Sequence, residues 1–148
     1  MGYMDGLPDS DRAWQEIRRV ARVPASALSP RDIPTSPGVC VWFHGDEPVY
    51  IGEAGGEFGL RQRLMDHLAT GSDLSRSTLR ATIAVVELGV DRSTARARPS
   101  VLTADQIAAV NAWLSSCEVG WIECSTSSDA HAMKRTLLNS WRPRFNLA

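Results

Sequence analysis

The chain has 148 residues, 43% of them hydrophobic, and a formal net charge of −1. That is about one domain's worth of sequence with enough apolar residues for a single core, and the charge balance excludes a protein coated in basic surface. No apolar run approaches the roughly 18 residues needed to cross a bilayer, and the opening MGYMDGLPDSDR is acidic and polar where a secretory signal is basic and then apolar, so no membrane contact and a cytoplasmic location are expected.

In chain order, Asp9 to Arg22 reads as an N-terminal accessory helix, capped by Asp9 or Ser10, with Trp14, Ile17 and Val20 or Ala21 on one face. Pro24, Pro30, Pro34 and Pro37 mark a loop that leads into the stretch SPGVCVWFHGDEPVYIGEAG. This stretch reads as a hairpin, with a first strand over about Gly38–Phe43, the turn HGDEP, and a second strand over Val49–Gly52. After a glycine-rich connection, LRQRLMDHLATG carries Leu60, Leu64 and Leu68 at helical spacing with Gly71 as the stop. STLRATIAVVELGV is β-branched and predicts a third strand around Ala81–Leu88, and the arginine-rich DRSTARARPS reads as exposed. A Thr103–Gln106 capping box opens an amphipathic helix with Ile107, Val110 and Leu114 on one stripe. EVGWIECS alternates as a further strand, and a last helix, capped by Ser127 or Ser128, carries Met133, Leu137 and Trp141 before Arg142 and Pro143 end it. Strands and helices mixed without a regular βαβ period predict an α+β fold with a small antiparallel sheet flanked by helices.

Three residue classes bear on chemistry. The three cysteines, Cys40, Cys117 and Cys124, lack the paired spacing of a zinc site or a disulfide framework and read as free thiols. Fifteen arginines stand against one lysine, Lys134. The guanidinium fork suits phosphate, although a GC-rich genome yields the same excess. Arg63 and His67 are four apart and share one helical face beside the glycine-rich loop. A cation and an imidazole there suit an anion, the first neutralising developing charge and the second moving a proton. A solvated helix face accounts for the same spacing.

GVC, YIG, LRQRLMDHL and LLNSWRPRFN, in this order and at these separations, resemble the GIY-YIG nuclease family. Gly38 and Val39 match the first two positions of the GIY element, and Tyr50, Ile51 and Gly52 match YIG completely. Arg63 falls where the family keeps its catalytic arginine, His67 where many members keep a histidine, and Pro143 and Asn146 fit the closing P-x-x-N. The resemblance covers about Pro37 to Asn146 and implies a three-stranded core sheet within a domain over residues 37–148; residues 1–36, read from their own pattern, are a helix and proline-rich lead-in before it. It also implies hydrolysis of DNA phosphodiesters: a tyrosine-activated water attacks, the arginine stabilises developing charge, and a glutamate on the last helix holds a divalent metal.

Two positions depart from that pattern. Cys40 stands in place of the GIY tyrosine, and Lys134, nine residues before Pro143, stands in place of the metal-ligating glutamate. A protonated amine repels magnesium rather than ligating it, and Glu53, Glu123 and Asp129 are not in register to replace the carboxylate.

Three readings follow. A divergent endonuclease-like phosphodiesterase would keep Tyr50, Arg63 and His67, needing magnesium or manganese only if a nuclease site survives. A binding module would grip DNA through Arg61, Arg63, Arg76, Arg80 and Lys134, with Gly52 and Asn146 shaping the groove. A repurposed metal-free enzyme would gather Cys40, Tyr50, Arg63, His67 and Lys134 around a small anionic substrate, with the Cys40 pKa lowered by the cations. A lone strand cysteine is more often a small buried hydrophobe. The sequence favours a GIY-YIG nuclease-like domain acting on or binding DNA with altered or lost metal-dependent cleavage, with the metal-free enzyme as the alternative and no metal ligand assigned.

Overall fold

The computed structural model describes residues 9–147, with side chains described from residue 11 onward. The side-chain cap predicted at Asp9 or Ser10 and the segment over residues 1–8 therefore lie outside what is described.

The strand GVCVWFH is apolar on both faces, so it has to be covered on both sides, and it is. It forms β2 (Gly38–His44), buried along all but its last residue. A turn at Gly45 and Asp46 leads to β3 (Glu47–Ala54), longer at both ends than its apolar centre predicts. These two pair antiparallel, and β2 pairs antiparallel on its other side with β4 (Glu118–Glu123). The two-residue β1 (Val23–Pro24) adds to β4, giving the order β1-β4-β2-β3 with β3 at an edge. The predicted class, an antiparallel sheet flanked by helices, is the observed one, widened by β1 to four strands.

Alternation sorts the hairpin's side chains between two apolar layers. Val39, Val41, Phe43 and Ile51 face α1 (Asp9–Arg18) and α6 (Ser127–Ser140), packing with Trp14, Ile17, Ala130 and Leu137. Cys40, Trp42 and Tyr50 face the other layer, with Leu60 and Leu64 of α2 (Gly59–Leu68), Leu79 and Ile83 of α3 (Thr78–Leu88), and Val110 and Leu114 of α5 (Ala104–Ser115). The short α4 (Arg92–Ala95) packs beside α3.

The predicted strand at Ala81–Leu88 is corrected to the helix α3. Its β-branched run argues for a strand, but the capping signals outweigh it. The Ser77 hydroxyl accepts from the Arg80 N–H at the N-terminus, and Gly89, at φ 70°, closes the C-terminus in the left-handed region. With Leu79 to Ala84 all buried, packing rather than propensity decides the element.

Smaller differences follow the same logic. The first helix stops at Arg18, α2 stops at Leu68 rather than near Gly71, α6 is capped by Thr126, and the arginine-rich loop contains α4, capped by Asp91. The Thr103–Gln106 capping box is present as predicted. The N-terminal helix belongs to the packing: Trp14 Nε1 donates to the Leu137 carbonyl at 2.9 Å, and its ring meets Trp141 edge-on at 5.0 Å.

Candidate functional site

At the edge strand β3 several of the side chains singled out in the sequence meet. Cys40 pairs with Gly52, and Trp42 with Tyr50, across the hairpin. A Cβ on Gly52 would sit 3.1 Å from both Cys40 Sγ and the Tyr50 ring, and 3.8 Å from His67 Nε2. Glycine is what lets the thiol, the phenol and the imidazole close around one backbone position. Gly38 is required for a different reason, because a Cβ there would run into the Ile122 carbonyl and the Leu60 side chain.

The interior part of this cluster is dry. Cys40 and His67 are fully buried and Tyr50 is 5% exposed. Burial raises the Cys40 pKa to about 11 despite the opposing charge of Arg63. The expectation of a lowered thiol pKa is thereby corrected: one cation does not offset complete desolvation. Burial, with Cys40 adding to it, also holds the Tyr50 phenol well above its ordinary value, while Arg63, Arg96 and Thr78 pull the other way. For His67, burial and then the charge of Arg63 depress the pKa to about 3, so the ring is neutral. Its Nδ1 meets Ser77 Oγ at 2.6 Å, its Nε2 has no hydrogen-bond partner, and Trp42 and Tyr50 present their edges to it at 6.0 and 5.7 Å.

Two neighbouring cavities open beside this cluster. One, of about 350 Å³, is lined by Tyr50, Gly52, Glu53, Gly55 and Arg63, with Thr78, Ser127 and Lys134 at its rim. The other, of about 330 Å³, shares Tyr50, Thr78 and Lys134 and continues between α3, α4, α6 and the C-terminal segment, where Arg92, Arg96 and Arg142 line it. Together they form a groove with five cationic side chains. Among the described residues Glu53 is the one carboxylate that lines either cavity. It is already engaged: His131 Nδ1 donates to it at 2.9 Å and Lys134 Nζ stands 3.8 Å away. Among the described residues no group of three or more His, Cys, Asp or Glu side chains is placed to hold a metal ion.

Of the residues read from sequence, Tyr50, Gly52, Arg63, Lys134 and Asn146 come together at this groove, with Cys40 and His67 sealed behind Tyr50. Arg61, Arg76 and Arg80 line neither cavity. Arg61 Nε donates to the Ile33 carbonyl at 2.9 Å. Arg80 is fully buried and donates to the carbonyls of Gly71 and Asp73 and to Asn111 Oδ1. Arg76 is exposed. Asn146 is buried and clasps the outer edge of β3, accepting from Ile51 N–H and donating to the Ile51 carbonyl, each at 2.8 Å. Its side-chain hydrogen bonds therefore hold the strand that carries the site.

The sequence reading missed Arg92, Arg96, Arg142 and Thr78. Arg92 and Arg96 are four apart, a spacing that puts both on one side of a helical turn, and that was the signal available within DRSTARARPS. Arg96 donates to Thr78 Oγ1 at 3.3 Å, and Arg142 donates to the Asn146 carbonyl at 3.3 Å. The guanidiniums of Arg63 and Arg92 have no hydrogen-bond or ion-pair partner among the described residues.

Compared with known proteins, the chain matches a family model described as the GIY-YIG catalytic domain over residues 40–148. No curated protein and no solved structure matches it.

Proposed function

The chain belongs to the GIY-YIG catalytic-domain family, and on that premise we propose that it acts on or binds DNA through the groove at the edge of β3, with metal-dependent phosphodiester hydrolysis altered or lost. The observation that carries this reading is the charge of the groove. Among the described residues five cations line it, and the one carboxylate that does is already engaged. Neutralisation of backbone phosphates by arginine and lysine is the dominant, sequence-independent part of nucleic-acid affinity.

The residues present do not fit a divalent metal. Magnesium takes oxygen ligands and tolerates little distortion, yet Lys134 stands where the family resemblance places a carboxylate. The nearest carboxylate, Glu53, has that amine 3.8 Å away and His131 hydrogen-bonded to it. Lys134 therefore supplies at this edge of the groove a fixed positive charge, which attracts a phosphate by the same electrostatics that repel a metal.

Within this reading each residue has a definite task. Arg63, free of protein acceptors among the described residues, binds a phosphate oxygen. Tyr50 presents a phenol that is neutral at ordinary pH and that burial keeps still further from ionising, and a neutral phenol donates a hydrogen bond to a phosphate oxygen. His67 is too deeply buried to touch a strand and keeps Tyr50 and Gly52 in place from behind.

The experiment is incubation of the purified protein with labelled duplex, branched and single-stranded DNA, with magnesium, with manganese and with a chelator, beside Arg63→Ala and Lys134→Glu. Binding that survives the chelator, weakens in Arg63→Ala and brings no metal-stimulated cutting supports the proposal. Arginine-dependent cutting by the wild type that requires metal overturns the second half of it, and no association at low salt overturns the first.

A further inference from the structure

The half of the groove away from Arg63 has features that a simple phosphate track does not need. Arg92, Arg96 and Arg142 line a cavity of about 330 Å³ together with Val85, Leu138 and Phe145, and among the described residues no carboxylate lines it. The volume lies at the small end of the range for ligand pockets, about 300–1,000 Å³. None of the three guanidiniums has a carboxylate partner: Arg96 meets a hydroxyl, Arg142 a backbone carbonyl, and Arg92 has no hydrogen-bond or ion-pair partner among the described residues. Three unneutralised guanidiniums are more charge than the single negative charge of a phosphodiester calls for. They match a phosphomonoester, which carries about −1.5 to −2 at neutral pH and offers three acceptor oxygens. The apolar wall from α3 and α6 gives that phosphate's organic body a surface to lie against.

We infer that this cavity binds a nucleoside monophosphate unit, namely the phosphorylated terminal nucleotide of a DNA strand, with Arg92, Arg96 and Arg142 on the phosphate and Val85 and Leu138 against the nucleoside. The inference rests on the DNA reading for the identity of the strand, whereas the chemistry of the pocket is the same for a free mononucleotide. Its position, sharing Tyr50, Thr78 and Lys134 with the neighbouring cavity, puts a strand end in one half of the groove while the adjoining phosphates run past Arg63 in the other.

The test compares oligonucleotides of one sequence carrying a 5′-phosphate, a 3′-phosphate or neither, together with deoxyadenosine monophosphate, deoxyadenosine and inorganic phosphate, by calorimetry or fluorescence anisotropy. A phosphorylated end should bind about tenfold tighter or more than the unphosphorylated strand, the scale of one charge-assisted contact. The Arg92→Gln/Arg142→Gln double variant, altered only at exposed side chains, should weaken every strand, because both arginines line the groove, but should weaken the phosphorylated ones further, until all three strands bind alike. Equal affinity for all three strands, with no mononucleotide binding, overturns the subsite and leaves the groove reading standing. Mononucleotide binding that the double variant abolishes, with no strand bound, upholds the subsite and overturns the DNA reading. Inorganic phosphate that binds as tightly as the mononucleotide overturns the role given to the apolar wall.

Discussion

Lys134 Nζ stands 3.8 Å from Glu53 Oε1, across the rim of the groove, and His131 closes on the same carboxylate from one turn earlier on α6. The carboxylate follows the YIG element directly in the chain, so the side chain best placed to meet a metal is held by an amine instead.

Reversing that amine is the sharpest perturbation of the site. Lys134→Glu sets two carboxylates side by side, a pair that repels itself until a cation intervenes. We expect manganese to raise the melting temperature of Lys134→Glu and to leave the wild type and Lys134→Ala unchanged. Equal stabilisation of the wild type by manganese would show that a metal site exists without the change.

The buried imidazole makes stability depend on acid. The folded pKa of His67 is depressed from 6.5 to about 3, so between those values the unfolded chain binds a proton that the folded chain refuses. The stability this group confers is complete above pH 6.5 and is lost as pH falls toward 3, at up to about 1.4 kcal/mol per pH unit. Urea unfolding at a series of pH values should show this slope in the wild type and a flatter one in His67→Gln. An identical slope in both would assign the acid sensitivity to other groups.

The thiols should report burial. Cys40 and Cys117 are 0% and 2% exposed, and burial raises their pKa values to about 11 and about 12, whereas Cys124 is only partly buried. Iodoacetamide at neutral pH should modify Cys124 first, as read by mass spectrometry, and reach the other two only as the fold opens. Rapid labelling of Cys40 in the native protein would restore a nucleophilic thiol to consideration.

The closing segment has a structural effect that can be measured. Asn146→Ala removes two 2.8 Å hydrogen bonds from Ile51 and leaves both of that residue's outward backbone groups without this partner. Because an unsatisfied buried group costs about 1–3 kcal/mol and two are left, the loss should be about 2–6 kcal/mol in urea unfolding, with DNA affinity per folded molecule little changed. A variant of native stability that no longer binds DNA would place Asn146 in the interface.

Much of this was legible from local rules, and the failures have physical causes. The hairpin and α5 announce themselves through apolar runs, turn residues and a capping box. The helix α3 does not, because Thr82, Ile83, Val85 and Val86 carry a strand's composition while the decisive signals, Ser77 and Gly89, are single residues at its ends. Family resemblance singled out Tyr50, Arg63 and Lys134, which α2, β3 and α6 bring to one groove. Arg61 is two residues from Arg63, and residues two apart on a helix point to different sides, so only Arg63 reaches the groove. Arg80 reads as surface charge, yet it acts as a buried clamp on the carbonyls of the loop before α3. Arg92 of α4 and Arg96 at its C-cap show only one spacing of four, which so short a helix does not repeat, so the signal stays weak.

The central claim, that cations at the edge of β3 grip a phosphate backbone, is tested most directly by titrating labelled duplex DNA against the wild type, Arg63→Ala and Lys134→Ala over a series of salt concentrations with a chelator present. The account predicts that the logarithm of affinity falls linearly with the logarithm of salt concentration, and that each substitution weakens binding and shallows the slope by about 0.9, one phosphate contact fewer. Affinity and slope unchanged in both variants would contradict it and place any DNA contact elsewhere on the molecule.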